Sequence, residues 1–396
     1  MKSAADVYKD TQLAGTLERF EDRVEFRYLP EYSGEPVATS LPVSNKAIVS
    51  PAGQLPPFFV GLLPEGRRLS ALIRALKVSA DDELSLLLAV GSDTVGDVRV
   101  IPTGEKLADL APYVTEDHWD DLDFDELFAR SVGADFDRAA IPGVQPKVSG
   151  RMVSFPFAGA VGPVIVKLNP PEYPYLVEVE SAILDAASQP RAFKIPRRAL
   201  FADRNGQLGL IVERFDRLSV DSSFSRLPVE DGCQVMARYP ADKYNLDTIE
   251  VIRSLADKCT APAVARLQLL ERFLLSYLAA DGDLHARNMA ITKTETGLWE
   301  PSPVYDVICT AVYNDTTLAA PFNGRENVRE MGRRRVLEAA AELRIPDKAA
   351  TRSLDRLVPE VAAAIQSALE SPVFSNFPDQ KMAQRLASRR AALLLE

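Results

Sequence analysis

The chain has 396 residues, of which 46% are hydrophobic and 26% charged, with a formal net charge of −10. That composition describes a globular chain with length for one large or two medium domains, and it argues against strong nucleic-acid binding by this chain alone, leaving open binding through a basic partner. The start, Met1 to Asp6, lacks the apolar stretch of a signal peptide, the longest apolar run (Leu84 to Val90) is far too short to span a bilayer, and Cys233, Cys259 and Cys309 form no metal pattern, so a reducing cytoplasm with free thiols is expected.

In chain order, Val7-Tyr8 and Leu13 to Leu17 flank Lys9-Asp10-Thr11-Gln12, and Val24 to Tyr28 alternates with charged residues. The pattern predicts a small antiparallel meander. Leu62 to Leu76, around Pro64-Glu65-Gly66, has helical apolar spacing, and Asp81-Asp82-Glu83 leads into a capped, buried helix through Val90. Gly91 and Gly96 end it, and a strand is expected over Val98 to Ile101. The seven acidic residues between 115 and 126 read as a solvated connector or helix start, and the main boundary is placed at about residue 105.

Lys147 to Ser149, Met152 to Phe155 and Val164 to Lys167 are expected as neighbours in one sheet. Tyr175 to Ala187 reads as a helix and Leu208 to Phe215 as a strand. From residue 228 helices dominate, with a strongly apolar one at Leu267 to Ala279 and three or so from Arg333 onward. No repeats or low-complexity tracts occur. A β-rich, then mixed, then helical order with a candidate catalytic loop after a buried helix is the layout of a protein-kinase-like enzyme, an analogy at the level of fold.

That loop is Asp281-Gly282-Asp283-Leu284-His285-Ala286-Arg287-Asn288. Asn288 stands five residues after Asp283, and Asp306 eighteen residues after Asn288. The order suits phosphoryl transfer: an aspartate to orient the attacking hydroxyl, an asparagine for a metal ion, and a second carboxylate for metal and phosphates. Met289 to Thr292 and Leu298-Trp299 flank Thr294-Glu295-Thr296-Gly297, a predicted hairpin that would fold Asp306 back beside Asn288. Hard oxygen ligands, few in number and completed by phosphates and water, suit Mg²⁺. His285 reads either as a general base or, the favoured reading, as a loop histidine that bonds the backbone and shapes the turn. His118, beside Trp119, is read as structural or exposed, and two histidines so far apart argue against zinc chemistry.

Lys167 ends an apolar strand, from which its ammonium can reach phosphate, and Glu180, thirteen residues on, is a candidate partner. Position alone favours a surface lysine and a solvated glutamate; the downstream Asp283, Asn288 and Asp306 reverse that preference. Ile141 to Lys147 is a candidate phosphate cradle, offering backbone amides, Gln145 and Lys147, though it holds one glycine and two prolines and alone reads as an ordinary turn. Glu213-Arg214-Phe215-Asp216 follows an apolar strand, where backbone near Glu213 and Phe215 can meet adenine; a strand end with a buried phenylalanine is the equal alternative.

These residues resemble the HipA-like serine/threonine kinases of bacterial toxin–antitoxin modules, over nearly the whole chain. Phe58-Phe59-Val60-Gly61-Leu62-Leu63-Pro64-Glu65-Gly66 and Val90 to Gly96 resemble N-terminal signatures of that family. Gly143 to Lys147 matches its phosphate loop, Val212 to Arg217 its hinge, and Glu230 to Gln234 its first large-lobe helix. Gly282 to Asn288 and Tyr305-Asp306 match its catalytic and metal motifs. The resemblance implies an α+β, two-lobed kinase-like fold: an extra N-terminal β-rich subdomain (1–105), a small lobe (106–216) and an all-helical large lobe (217–396). It also implies ATP and Mg²⁺, transfer to a protein serine or threonine, restraint by a helix-turn-helix antitoxin, and a translation-related target such as an aminoacyl-tRNA synthetase. Carried over, Lys167 contacts the phosphates with Gly143, Val144, Gln145 and Lys147 in the phosphate loop, His285 is a further nucleotide-binding residue, Glu213 and Phe215 attend the adenine, Asp283 the acceptor, and Asn288 and Asp306 the metal. One position departs: Ala140 stands where many members carry a serine whose autophosphorylation silences the enzyme, and Ser131 and Ser149 are the nearby hydroxyls. The alternatives are an aminoglycoside-type small-molecule phosphotransferase, which is not expected to carry the Leu62 to Gly66 segment, and a non-catalytic corepressor, against which the intact Lys167, Asp283, Asn288 and Asp306 speak.

Overall fold

A computed structural model describes residues 4–107, 122–127, 153–159, 162–220 and 223–396. The expected phosphate loop with Gly143, Val144, Gln145 and Lys147, the strand at 147–149, Ala140, Ser131, Ser149 and His118 lie outside the described residues.

The N-terminal meander forms as its alternation dictates. Strands β1 (Ala4–Lys9), β2 (Gln12–Arg19), β3 (Arg23–Tyr28), β4 (Ile48–Pro51) and β5 (Val98–Pro102) make one antiparallel sheet in the order β4-β3-β2-β1-β5. On β3, Val24, Phe26 and Tyr28 are buried while Arg23, Glu25 and Arg27 alternate with them. Helices α1 (Pro57–Val60), α2 (Gly66–Leu76) and α3 (Glu83–Val90) supply the rest of this core, with Phe59 5.0 Å from Phe26. Asp82 caps α3 by accepting from the Ser85 amide. The expected helix from Leu62 starts only at Gly66, because Pro64 disfavours helical backbone at Leu63 and Glu65 is extended.

A second antiparallel sheet has the order β6-β7-β9-β8, from β6 (Val153–Gly159), β7 (Gly162–Leu168), β8 (Arg198–Ala202) and β9 (Leu208–Glu213). The period of two divides it. Val164, Val166, Leu168 and Ile211 pack with Phe124 and Leu127. Leu210 and Val212 pack on the other face with helix α4 (Leu176–Ser188), and Lys167, paired with Leu210 across the strands, shares that face. Strand β9 stops at Glu213, two residues short of expectation, where Arg214 to Arg217 closes a turn through an Arg217 amide to Arg214 carbonyl bond.

The remainder is not all-helical, contrary to expectation. A hairpin, β10 (Arg217–Val220) and β11 (Ser223–Arg226), precedes a three-stranded sheet of β12 (Val229–Asp231), β13 (Ala290–Lys293) and β14 (Trp299–Pro301). The predicted hairpin is β13-β14, turned at Gly297 with φ +79°, and β12 joins it because Val229 to Asp231 offers a buried edge in register with Ala290 to Thr292. Around it lie α5 (Gly232–Val235), α6 (Thr248–Lys258), α7 (Pro262–Leu278), α8 (Arg333–Glu342), α9 (Asp347–Leu369) and α10 (Gln380–Leu395). Helix α7 starts at Pro262, where a missing N–H costs no helical bond, and Leu269 to Leu278 is buried on every side. Truncating one of its buried leucines to alanine would cost ~2–5 kcal/mol, which makes the helix a rigid base for the loop at its C-terminal end. The three cysteines are free and buried, and among the described residues no helix is long and apolar enough to cross a membrane.

Candidate active site

Helix α7 runs directly into the candidate loop. Ala280, in the left-handed region at φ 55°, stops the helix. Asp281 then accepts from Ser276 Oγ and from the Asp283 amide, both at 2.8 Å. Gly282 donates its amide to Thr310 Oγ1 at 2.7 Å, and any Cβ there would stand 2.7 Å from the Thr317 carbonyl oxygen. The loop is thereby fixed before Asp283 begins.

Asp283 is 2% exposed and lies beneath the cleft surface. Its Oδ1 accepts from the Tyr244 hydroxyl at 3.0 Å, while its buried Oδ2 has no hydrogen-bond partner among the described residues. The Asn288 side-chain nitrogen donates to the Asp283 carbonyl at 3.0 Å, which leaves the amide oxygen for a cation. The β13-β14 hairpin brings the chain back as expected: Tyr305 donates its hydroxyl to the Arg287 carbonyl at 2.8 Å, and Asp306 follows in the left-handed region at φ 56°. Such backbone is uncommon outside glycine and persists only where surrounding contacts enforce it.

Lys167 joins the sheet to this loop. Its ammonium donates to Glu180 Oε1 at 2.6 Å and to Asp306 Oδ1 at 2.8 Å. The expected pairing with Glu180 is present, and the surface-lysine alternative does not describe this geometry. Burial disfavours the charged lysine, but Asp306 and Glu180 reverse that and hold it protonated. Burial likewise works against an ionised Asp306, and Lys167 overcomes it, keeping the carboxyl below its usual range.

Farther into the loop the balance shifts. Burial pushes Asp281 up to about 6. Burial, then Asp281 and Asp306, raise Asp283 well above the ordinary carboxylate range. A raised carboxylate is a stronger base than an ordinary one. His285 is pushed down to about 3 by burial and then by Lys243, so it is neutral. Among the described residues its Nδ1 has no hydrogen-bond partner, and the ring lines the cleft and meets Tyr244 edge-on at 5.0 Å.

The cleft encloses about 350 Å³. Lys167, Glu180, Glu213, Phe215, His285, Asn288 and Asp306 all line it. Phe215 is partly buried and stacks on Tyr305 at 5.8 Å, while Glu213 is exposed and pairs with Arg197.

Sequence reasoning missed the wall that the N-terminal unit contributes. Leu63, Glu65, Asp93 and Val95 also line the cleft. Glu65 pairs with Arg287 at 2.8 Å and Lys243 at 3.0 Å, and Arg287 donates to the Gly61 carbonyl at 2.6 Å and pairs with Asp231 at 2.9 Å. On the hinge side Arg214 bonds Asp93 and Asp216, and the Gly96 amide donates to Asp216 at 2.8 Å. The signal was present as a dense charge run, Arg214, Asp216 and Arg217, directly after an apolar strand.

Fold and site together describe a kinase-like enzyme closed by an N-terminal unit. Residues 139–368 match the HipA-like C-terminal domain model and residues 5–101 the HipA N-terminal domain model, so the chain belongs to the HipA-like toxin kinase family. The serine/threonine-protein kinase toxin HipA of Shewanella oneidensis is 28% identical over 308 residues, 72% of this chain and 69% of that protein. A Sinorhizobium fredii relative, named provisionally as a kinase, is 26% identical over 92% of this chain and 91% of its own length. The solved complex of Shewanella oneidensis HipA, HipB and operator DNA contains a chain that matches with a TM-score of 0.76 at 22% identity, covering 99% of this chain and 97% of that one, a likeness of fold.

Proposed function

We propose that this chain is a Mg·ATP-dependent serine/threonine protein kinase of two lobes, acting as the toxin of a HipA/HipB-like toxin–antitoxin module. The observation that carries the reading is Lys167 bonded at once to Glu180 and Asp306. A buried lysine held protonated beside a carboxylate at the cleft floor is built for triphosphate and cation together. The donor set fits Mg²⁺: the Asn288 amide oxygen and the Asp306 carboxylate are hard ligands, too few to hold the ion without phosphates and water. When bound, that ion neutralises charge developing on the transferred phosphoryl group. Lys167 binds phosphate oxygens, Phe215 packs against adenine while backbone near Glu213 bonds its edge, and Asp283 orients the acceptor hydroxyl and takes its proton. By its sequence, 143–147 serves as the phosphate loop, and Ala140 removes the usual autophosphorylation brake.

Restraint then falls on a small helix-turn-helix antitoxin, through which alone the chain reaches operator DNA, consistent with its net charge of −10. The proposed target is a translation-related protein such as an aminoacyl-tRNA synthetase. The test is calorimetric titration with ATP. Affinity is expected to require Mg²⁺ and to collapse in Asp306→Asn; equal affinity with and without Mg²⁺ would refute the reading.

A further inference from the structure

Tyr244 lies in the loop between α5 and α6, thirty-nine residues before Asp283. Its hydroxyl donates to Asp283 Oδ1 at 3.0 Å. The ring is held from two sides: His285 meets it edge-on at 5.0 Å, and the Lys243 ammonium stands 5.1 Å from its centroid. The loop is tied to the candidate catalytic segment through its main chain, the Ala286 amide donating to the Lys243 carbonyl at 3.2 Å. The other carboxylate oxygen, Oδ2, is buried and has no hydrogen-bond partner among the described residues. A buried carboxylate oxygen without a donor is unfavourable, and in a native protein it calls for a partner that arrives later.

We propose that Tyr244 is a positioning residue for phosphoryl transfer: its hydroxyl fixes one oxygen of Asp283 and leaves the other as the atom that accepts the incoming hydroxyl proton. The inference rests on the kinase reading above. Without the phenol the carboxylate can turn about its Cβ–Cγ bond, and its two oxygens become interchangeable. Positioning is worth most where the reacting atoms meet and nothing where nucleotide binds, so the effect belongs to kcat and not to ATP affinity.

Tyr244→Phe keeps the ring and its contacts and removes only the donor. Phosphate transfer from γ-labelled ATP is followed to water and to dephosphorylated casein, in wild type, Tyr244→Phe, Asp283→Asn and the double variant. Tyr244→Phe is expected to lower kcat roughly 10- to 100-fold, the worth of one hydrogen bond to a charged group. The Kd for Mg·ATP and the melting temperature stay near wild type, and in the Asp283→Asn background Tyr244→Phe has no further effect. Wild-type turnover in Tyr244→Phe overturns the inference while leaving the kinase reading intact if Asp283→Asn is inactive. Additive losses in the double variant, or ATP affinity falling in step with melting temperature, also overturn it, because a merely structural role produces those. Full transfer by Asp283→Asn sinks the kinase reading itself.

Discussion

Two buried ionic clusters flank the cleft, and they are finished to different degrees. Behind the hinge, all three guanidinium nitrogens of Arg214 are bonded, to Asp93, Asp216 and the Thr94 carbonyl. Asp216 also receives Arg217 and the Gly96 amide. Burial opposes the charge on Asp216 and Asp93, but the arginines hold both carboxyls below their usual range. At the other end, Asp283 Oδ2 and His285 Nδ1 are buried without hydrogen-bond partners among the described residues, and burial drives both groups toward neutrality. Burial alone therefore does not mark function. In the hinge cluster Arg214 and Asp216 satisfy one another and join the N-terminal unit to the sheet, while Arg226 Nη1 reaches Asp93 as an ion pair without a hydrogen bond; in the loop cluster the unpartnered atoms belong to the candidate catalytic groups themselves.

The strongest way to break the comparison is to remove one carboxylate from each end. Asp216→Ala strands buried Arg214 and is expected to cost ~3–5 kcal/mol of stability. Asp283→Asn is expected to lower transfer by ~10²–10⁴-fold with Mg·ATP binding almost unchanged, because an orienter acts on the acceptor. Its melting temperature should hold or rise, since the change removes a carboxylate that burial opposes. Thermal denaturation and single-turnover transfer on both variants decide the matter. If Asp283→Asn melted early, or Asp216→Ala melted like wild type, the distinction between the two ends would be gone.

Acid should separate the same two regions. Asp281 is raised to about 6, so it gains a proton in the folded protein as pH falls through 6; burial, then Asp281 and Asp306, raise Asp283 as well. Asp216 and Asp93 are lowered. Their stabilisation is present above the unfolded carboxylate pKa of ~3.9 and is lost as pH falls below it toward their folded values. Transfer should therefore show an acid limb near pH 6 while circular dichroism reports an intact fold down to about pH 4. Coincidence of the two transitions would show that activity is lost by unfolding.

The loop end was the more legible of the two from sequence, for a physical reason. Asp283, Asn288 and Asp306 lie within one short stretch, and a hairpin with its own turn residues connects them, so spacing carries geometry. Lys167 and Glu180 were visible as a strand end and a helix thirteen residues on. The hinge cluster joins Asp93 to Arg214 across 121 residues, and no local periodicity records such a pair. Tyr244 was invisible likewise, a single aromatic in a loop without a motif. The all-helical reading of residues 217–396 failed because Val229 to Asp231 is too short to announce itself as a strand; only the β13 edge makes it one. The N-terminal segment Leu62 to Gly66 was noticed as a signature, but its sequence says nothing of Arg287, which it meets only in the fold.

The smallest expected effect lies at Glu65, in the N-terminal wall beside the loop cluster. Its carboxylate joins the N-terminal wall to the loop through Arg287 and Lys243. Burial would raise its pKa, but Arg287 and Lys243 reverse that and hold it at about 2. Yet the side chain is 39% exposed, so solvent screens much of this attraction. Arg287 also keeps two other anchors, Asp231 and the Gly61 carbonyl. Glu65→Gln should therefore weaken Mg·ATP binding only about two- to fivefold at low salt, the range of a partly exposed ion pair. The deficit should vanish at about 0.5 M salt, where the Debye length falls to ~4 Å. Titration of wild type and variant at both salt concentrations measures it. A loss beyond tenfold that persists in high salt would place Glu65 with the satisfied hinge cluster, and would make the N-terminal wall a structural part of the nucleotide site.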